Sequence, residues 1–240
     1  MGYVAVRRLP YYLPPLVRGG NVIEQILPSL VASAESFGDD PTADLFPQER
    51  VFLARAAESR RREFATARAC ARAAMARLGQ SAVALLPGRG GAPQWPNGVI
   101  GSITHCAGYR AAAVGLTRYV ASMGVDAEPN EALPDHGMLG LIALDGERVR
   151  LGELAVRMPD VCWDRLLFSA KESVYKTWYP LARCWLGFES VDIVIDPHGS
   201  MFTARLLVEG PLVNGAPLTH LSGRWLSSQG LLVTAVVIPA

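Results

Sequence analysis

The sequence predicts an α+β fold whose strands pair mainly antiparallel. Helical patterns and strand-like segments, which alternate or run apolar, are intermixed along the chain, and loops rich in glycine and proline separate them. Of the 240 residues, 50% are hydrophobic and 19% are charged, which is typical of a packed globular protein. The net charge of +1 gives no overall attraction to nucleic acid or to an anionic membrane.

Three stretches have helical patterns. Residues 48–78 are rich in alanine and arginine and carry one apolar stripe, so we predict a helix with one break near Ser59. Gly79 is the expected stop, because glycine readily adopts the left-handed conformation that follows a helix. The other helical stretches are 135–160, with interruptions, and 163–178, which Pro180 is expected to end.

Short apolar or alternating segments predict the strands. They are residues 99–105, 111–116, 119–128, 191–195, 202–208 and 231–238. The composition predicts an irregular leader at 1–20, a short strand or turn at 24–30, and loops at 36–47 and 86–98.

The N-terminal residues do not resemble a secretion signal. Arg7 and Arg8 interrupt them, and no long apolar run follows. The sequence also contains no apolar run long enough to span a bilayer, so we expect a cytoplasmic protein without a membrane partner. In that compartment the cysteines are expected to be free thiols; they are Cys70, Cys106, Cys162 and Cys184.

Asp126 and Glu128 form an acidic pair at the end of a predicted strand. Because side chains alternate along a strand, both carboxylates point to one side, about 7 Å apart along the chain. Adjacent carboxylates repel unless a cation lies between them, and Mg²⁺ takes one or two carboxylates together with phosphate oxygens and water. The pair is compatible with a magnesium site, and an ordinary exposed acid pair is the alternative.

Residues 168–176, FSAKESVYK, place Glu172 and Lys176 four positions apart on one helix face. One interpretation is structural, since Ser169 and Glu172 match a capping box. The other is chemical, because a carboxylate near a metal can act as a ligand or a general base. Lys171 and Lys176 are the chain's two lysines among 23 basic residues, and they can neutralise a diphosphate. The residues alone leave both interpretations open.

Residues 101–106, GSITHC, offer a third candidate site. Thr104 and His105 can donate hydrogen bonds to phosphate, and the small residues before them allow close backbone approach. A histidine satisfied by a backbone carbonyl in the core is the alternative. The arginines of the 48–78 helix, Arg68 among them, offer a further phosphate-binding surface, although their spacing alone favours a solvated face.

Taken together and in order, these motifs resemble the signature motifs of the larger, single-chain 4'-phosphopantetheinyl transferases, most closely the actinobacterial members. The motifs are GSITHC at 101–106, GVDAE at 124–128 and FSAKESVYK at 168–176. Further similar segments are RRREF at 60–64, WPNG at 95–98, CAGYR at 106–110, WDR at 163–165 and WLGF at 185–188. The resemblance extends from about residue 21 to residue 240.

The resemblance implies a pseudo-dimeric fold of two similar α+β halves, residues 1–118 and 119–240, with coenzyme A in the cleft between them. The implied activity is Mg²⁺-dependent transfer of the 4'-phosphopantetheine arm of coenzyme A to a serine of an apo acyl or peptidyl carrier protein, which releases adenosine 3',5'-bisphosphate. The carrier can belong to a fatty-acid, polyketide or peptide synthase. We expect a monomer, because the two-fold partner is built into the chain.

The resemblance also implies roles for individual residues. Asp126, Glu128 and Glu172 would bind Mg²⁺, and Glu172 would deprotonate the carrier serine. Lys176 would stabilise the departing bisphosphate. The residues implied to contact coenzyme A are Arg60, Arg68, Thr104, His105, Asp126, Lys171, Lys176, Trp185 and Leu186.

Gly90 departs from the family pattern. Relatives often carry Lys or Arg at this position, where the side chain would touch the ribose 3'-phosphate, and the adjacent Arg89 is expected to substitute. Two other functions use the same residues: a Mg²⁺-dependent nucleotide-diphosphate hydrolase and a non-catalytic module that binds coenzyme A. The presence of Glu172 and Lys176 argues against the binding module, because a binder needs no base.

Overall fold

The computed structural model describes residues 21–240 and confirms the α+β fold with antiparallel sheets. The helices are α1 (Pro47–Phe52), α2 (Glu58–Arg77), α3 (His136–Ile142), α4 (Asp145–Arg157) and α5 (Trp163–Ala182). The strands are β1 (Ala32–Phe37), β2 (Val99–Cys106), β3 (Tyr109–Leu116), β4 (Val120–Pro129), β5 (Val191–Asp196), β6 (Met201–Leu206), β7 (Leu212–Val213), β8 (Ala216–Pro217), β9 (His220–Ser228) and β10 (Leu231–Pro239). The leader predicted at 1–20 lies outside the described residues.

Two main sheets each carry a long helix. The three-stranded sheet has the order β1-β3-β2, and the five-stranded sheet has the order β4-β10-β9-β6-β5. Helix α2 packs on the first sheet, and helix α5 packs on β4 and β10 of the second; both helices contain 20 residues. This arrangement matches the expected pair of similar halves. The expected boundary between residues 118 and 119 falls in the turn between β3 and β4.

Side-chain hydroxyls join the two sheets where β2 meets β4. Ser102 Oγ accepts the backbone N–H of Val125 at 3.0 Å, and Thr104 Oγ1 accepts that of Ala127 at 3.0 Å. Serine and threonine hydroxyls can satisfy backbone groups that a neighbouring strand would otherwise satisfy. We call these two contacts the hydroxyl seam. The seam places Asp126, which lies between the two amides, directly beside β2.

Helix α5 approaches β4 closely because β4 contains Gly124. A Cβ at this position would lie 2.0 Å from the carbonyl oxygen of Ser173, a distance that no side chain tolerates. The Ser122 hydroxyl also donates to the carbonyl oxygen of Thr177 at 2.6 Å. This contact brings the acidic end of β4 next to the predicted catalytic face of α5.

The helices differ from the prediction in two places. The break in the 48–78 helix is confirmed, but it lies between the end of α1 and the start of α2 at Glu58. Gly79 follows α2 with a φ of +70°, as expected for a helix stop. The prediction that Pro180 ends the 163–178 helix is wrong. Helix α5 continues through Pro180 to Ala182, and the N–H of Arg183 bonds the Tyr179 carbonyl oxygen.

Four of the described strands were not predicted. They are the two-residue strands β7 and β8, together with β1, which pairs with β3, and β9, which lies between β6 and β10. The 24–30 segment forms a turn of 3-10 helix at Ile23–Ile26. The four cysteines are free, as predicted. Across residues 21–240, every helix is too short or too polar to traverse a bilayer.

Candidate active site

A cavity of about 1000 Å³ lies between the two halves. The glycine-rich loop at 88–95 and the first part of β2 form one wall, and helix α5 forms the other. The lining residues contributed by α5 are Glu172, Tyr175, Lys176, Tyr179 and Pro180. Ligand pockets for small molecules range from roughly 300 to 1000 Å³, so this cavity suits a long ligand.

The carboxylate of Asp126 is buried beside this cavity. Its Oδ1 accepts hydrogen bonds from Lys176 Nζ at 2.7 Å and from Thr104 Oγ1 at 3.2 Å. Its Oδ2 is also buried, and no donor within residues 21–240 reaches it. A buried carboxylate oxygen without a donor is unfavourable unless water or a cation contacts it. Asp126 therefore has one free lone-pair site suited to a cation.

Glu128 is held by an arginine that is itself fixed by the backbone. Arg165 donates to Glu128 Oε2 at 3.1 Å and also to the carbonyl oxygens of Glu131 and Ala132. Burial raises the pKa of Glu128 to about 7, the charge of Asp126 adds to this effect, and Arg165 opposes it. Without a cation, Glu128 therefore stays protonated up to a higher pH than a carboxyl group usually does.

Glu172 and Lys176 line the cavity together. They are four positions apart on α5, so their side chains lie on the same face. Burial raises the pKa of Glu172, while the charge of Lys176 lowers it and that of Asp126 raises it. A carboxylate with a raised pKa is a stronger proton acceptor, which is the property a general base requires.

The acidic residues were tested for their fit to a divalent cation. As the side chains stand in residues 21–240, no three His, Cys, Asp or Glu groups are arranged to enclose a metal ion. However, Asp126 has a buried oxygen without a donor, and Asp126 raises the pKa of both Glu128 and Glu172. Close carboxylates that repel one another, with only oxygen donors, suit Mg²⁺. The chemistry of these residues is therefore compatible with the Mg²⁺ ion that the family resemblance implies.

Lys171 points away from the cavity, so the structure does not bring it to the other predicted phosphate contacts. Its ammonium donates at 2.8 Å to the carbonyl oxygens of Ile142 and Phe188 and to Glu147 Oε2. A lysine has three N–H donors, and these contacts use all of them. Burial lowers the pKa of Lys171, and Glu147 opposes this effect. Lys171 thus anchors α5 to the core.

Arg60 and His105 lie together, but outside the cavity walls. Arg60 Nη1 is 3.2 Å from His105 Nε2, and both side chains contact the carboxylate of Glu63. Burial lowers the pKa of His105, whereas Glu63 raises it. The cluster supplies a positively charged group near the end of β2.

Arg68 is buried within the N-terminal half. Its Nε donates to the carbonyl oxygen of Leu85 at 2.8 Å, and its guanidinium lies 3.9 Å from the centre of the Phe64 ring. Burial lowers the pKa of Arg68 to about 10. Arg68 does not line the cavity, so the structure does not bring it to the other predicted phosphate contacts.

The remaining predicted contacts are divided between cavity, surface and core. Thr104 is buried, and its hydroxyl is engaged in the hydroxyl seam and with Asp126. Trp185 is exposed and packs against Tyr175, with ring centres 4.8 Å apart. Leu186 belongs to the core of the C-terminal half, and it is not among the residues that line the cavity. Arg89 and Gly90 do line the cavity.

Tyr175, Tyr179 and Arg183 are among the lining residues that the sequence did not predict. Tyr175 and Tyr179 are three and seven positions after Glu172, a spacing that puts them on the same helix face and that could have identified them. Arg183 also lines the cavity. Its position could not be predicted because the helix was expected to end at Pro180.

The raised pKa of Glu128 predicts a pH-dependent stability for the metal-free protein. The folded-state value of about 7 lies above the ordinary 4.5, so the folded state binds this proton more tightly than the unfolded state does. The resulting stabilisation is complete below the ordinary pKa and is lost as the pH rises through the folded-state pKa. Between pH 5.5 and 8 the free energy of unfolding should fall by on the order of 2 kcal/mol. Thermal unfolding at pH 5.5 and 8 in a chelator measures the loss. Glu128→Gln should abolish most of it, and an unchanged pH dependence in that variant would contradict the prediction.

Comparisons with known proteins agree with this geometry. Residues 48–115 match the 4'-phosphopantetheinyl transferase N-terminal domain, and residues 122–222 match the 4'-phosphopantetheinyl transferase superfamily. The chain is 52% identical over 222 residues to 4'-phosphopantetheinyl transferase Svp of Streptomyces mobaraensis, with 91% of this chain and 90% of the relative covered.

The similarity to two further relatives extends over nearly the whole length of each relative. The chain is 42% identical over 228 residues to 4'-phosphopantetheinyl transferase PptT of Mycobacterium tuberculosis, with 91% of this chain and 99% of the relative covered. It is 43% identical over 225 residues to 4'-phosphopantetheinyl transferase Npt of Nocardia iowensis, with 90% and 99% covered. With two family models matched in sequence order and a cleft between the matching halves, the chain belongs to the 4'-phosphopantetheinyl transferase family and is an enzyme of that kind.

Proposed function

We propose that this transferase moves the 4'-phosphopantetheine arm of coenzyme A to a serine of an apo acyl or peptidyl carrier protein, with Mg²⁺ bound. Adenosine 3',5'-bisphosphate is the second product. The observation that supports this most is the convergence of Glu172, Lys176 and Asp126 at the cavity between the halves. The names of the relatives support the same class of transfer.

The charges that line the cavity suit a phosphorylated ligand. Arg89, Lys176 and Arg183 are cationic, and Glu172 is the one acidic residue among the described lining residues. Oxygen atoms of a diphosphate are stabilised by such cations in a site that excludes water. The cavity of about 1000 Å³ also accommodates a ligand as long as coenzyme A.

We assign the Mg²⁺ ion to Asp126, with Glu128 and Glu172 as further ligands. The free Oδ2 of Asp126 and the raised pKa values of the two glutamates support this assignment. When bound, a divalent ion neutralises charge on the diphosphate and on the leaving oxygen. Arg165 restrains Glu128 through one carboxylate oxygen, so the acidic pair keeps its orientation.

In the proposed reaction, Glu172 accepts the proton of the carrier serine, directly or through a water molecule. The serine oxygen forms a bond to the β-phosphorus, and the bond from that phosphorus to the bridging oxygen of the diphosphate breaks. Lys176 pairs with Asp126 in the ligand-free structure. In the reaction its ammonium donates to the phosphate oxygens of the departing bisphosphate. Positioning and electrostatic stabilisation account for most of the catalysis in such transfers.

Intact mass spectrometry of an apo carrier protein tests the proposal. Incubation with coenzyme A and Mg²⁺ should add one phosphopantetheine arm to the carrier, and the gain should disappear in Glu172→Gln or without metal. Breakdown of coenzyme A with no gain in carrier mass would instead support the nucleotide-diphosphate hydrolase. Binding of coenzyme A without any reaction, tried with several carriers, would support the non-catalytic module.

The remaining expectations belong to the same proposal. The enzyme works in the cytoplasm. It acts as a monomer, because residues of one chain form both walls of the cavity. Neither nucleic acid nor a membrane is a partner, which the net charge of +1 supports. The carrier belongs to a fatty-acid, polyketide or peptide synthase.

Arg89→Ala should raise the KM for coenzyme A about fivefold and leave kcat unchanged, because an exposed cation at the loop tip contributes one charge-assisted contact to binding. Steady-state kinetics with a saturating carrier measure the effect. Arg77→Ala is the control, since Arg77 is an exposed arginine in the last turn of α2, outside the cavity. An unchanged KM in Arg89→Ala would rule out this contact.

A further inference from the structure

The glycine-rich loop reaches across the cavity to the C-terminal half. Pro87 and Pro93 form an isolated antiparallel bridge at its base. Within the loop, the N–H of Gly88 donates to the carbonyl oxygen of Ala92 at 2.7 Å. A single 3-10 turn, Arg89–Gly91, forms the tip. The loop is therefore a narrow hairpin whose tip is presented to helix α5.

Tyr179 of α5 holds this tip through one hydrogen bond. Its phenol oxygen donates to the carbonyl oxygen of Arg89 at 2.7 Å, although the two residues are 90 positions apart. The Tyr179 side chain is largely buried, and its ring packs against Tyr175 with a centroid distance of 5.9 Å. The hydrogen bond thus joins opposite walls of the cavity.

Gly90 makes this contact possible. Its φ is +70°, in the left-handed region, and a Cβ built on it would lie 2.9 Å from both Cζ and Oη of Tyr179. A side chain at this position would be strained by the backbone and would displace the tyrosine ring. The basic residue that the family pattern expects here and the Tyr179 hydrogen bond are therefore mutually exclusive in this backbone.

We propose that Tyr179 is a positioning residue whose hydrogen bond, the latch, holds the glycine-rich loop over the cavity and thereby increases the affinity for the nucleotide end of coenzyme A. This inference rests on the proposed function. A loop that is ordered before binding loses less conformational entropy when the ligand arrives. The latch also fixes the backbone of Arg89, the loop's cationic residue in the cavity wall.

Tyr179→Phe tests the effect on binding, because it removes the phenol oxygen and keeps the ring. We expect calorimetry to show about fivefold weaker binding of coenzyme A, and kinetics to show a KM raised to the same extent with kcat within about twofold of wild type. Tyr119→Phe, which alters a half-exposed tyrosine outside the cavity, should change neither quantity. Unchanged affinity in Tyr179→Phe would overturn the proposal.

Limited trypsin digestion tests the latch itself without any activity. Trypsin cleaves after arginine, and the bond between Arg89 and Gly90 lies at the latched tip. In the ligand-free protein, Tyr179→Phe should be cleaved there about fivefold faster than wild type, because loss of one hydrogen bond raises the open population to that extent. Cleavage after Arg55, an exposed arginine between α1 and α2, should proceed at equal rates. Equal rates at Arg89 in the two proteins would overturn the proposal.

The two experiments separate the latch from the proposed function. If the wild-type protein neither binds coenzyme A nor modifies a carrier, the proposed function has failed, and the trypsin rates at Arg89 alone decide whether the latch exists. Faster cleavage with unchanged affinity for coenzyme A overturns the effect on binding.

Discussion

Lys171→Met is expected to lower the free energy of unfolding by about 3–5 kcal/mol, although Lys171 is adjacent to the proposed base Glu172 in the chain. Methionine resembles the aliphatic part of the lysine side chain but cannot pair with Glu147, whose carboxylate is buried. Glu147 would keep its hydrogen bonds from the backbone N–H groups of Leu144 and Ile193, both at 2.7 Å. It would nevertheless remain as a buried charge without its cation, which is the source of the large destabilisation.

Lys176→Met provides the matched control. The chain has only these two lysines, and Lys176 is partly exposed and pairs with Asp126 at the cavity. We expect the Tm of Lys171→Met to fall by about 10 °C, as the size of the chain implies, and that of Lys176→Met to fall less, because Lys176 is partly exposed and solvent screens its pair with Asp126. Lys176→Met should instead lose transfer activity. If the two variants are equally stable and Lys171→Met binds coenzyme A more weakly, Lys171 contacts phosphate as the family resemblance implies.

Glu172→Gln is expected to reduce kcat for transfer about a thousandfold, because general base catalysis typically contributes two to four orders of magnitude. Glutamine has the same shape but cannot accept the serine proton. Coenzyme A binding should remain, since the cationic groups of the cavity are unchanged. Stability should not fall, because burial disfavours the charged form of Glu172 in the wild-type protein.

Single-turnover transfer to an apo carrier, with calorimetry of coenzyme A binding, measures this effect. Glu153→Gln is the control, because Glu153 is an exposed glutamate on α4 away from the cavity. In the wild-type enzyme the rate should fall as the pH drops through the raised pKa of Glu172, since only the unprotonated form accepts a proton. A Glu172→Gln variant that keeps a tenth of the wild-type rate would exclude the base role.

The parts of the site that follow from local periodicity could be predicted from the sequence. Strand β4 is an apolar run that ends at Pro129, so its extent and the common face of Asp126 and Glu128 follow from the alternation of side chains. Glu172 and Lys176 share a face of α5 because they are four positions apart.

Other positions in the structure differ from the sequence-based expectation because they depend on side-chain direction and on tertiary contacts. Lys171 and Lys176 are five positions apart, which places them about 140° apart around a helix, so both cannot face one ligand. The motif resemblance did not include this geometry. Leu186 was assigned to the cleft by its place in a similar segment, but the core of the C-terminal half buries it. Pro180 lies in the last turn of α5, so its missing N–H costs one backbone hydrogen bond near the helix end rather than in the middle of the helix.

The two longer missed strands contain few of the residues that usually indicate strands. Strand β1 has the sequence ASAESF, without a β-branched residue, and becomes a strand through its pairing with β3. Strand β9 contains Gly223, where a Cβ would lie 2.1 Å from the ring of Phe202. Glycine is required there by the packing of a residue on a neighbouring strand, which the local sequence does not show.

Strands β2 and β4 are edge strands, one in each sheet. An uncovered edge presents backbone N–H and C=O groups that readily pair with another chain, so proteins protect such edges against aggregation. In this fold each edge protects the other, because Ser102 and Thr104 take up the amides of Val125 and Ala127. Separation of the halves would uncover both edges at once. The two hydroxyls that bring Asp126 beside β2 therefore also keep the edge strands of both sheets covered.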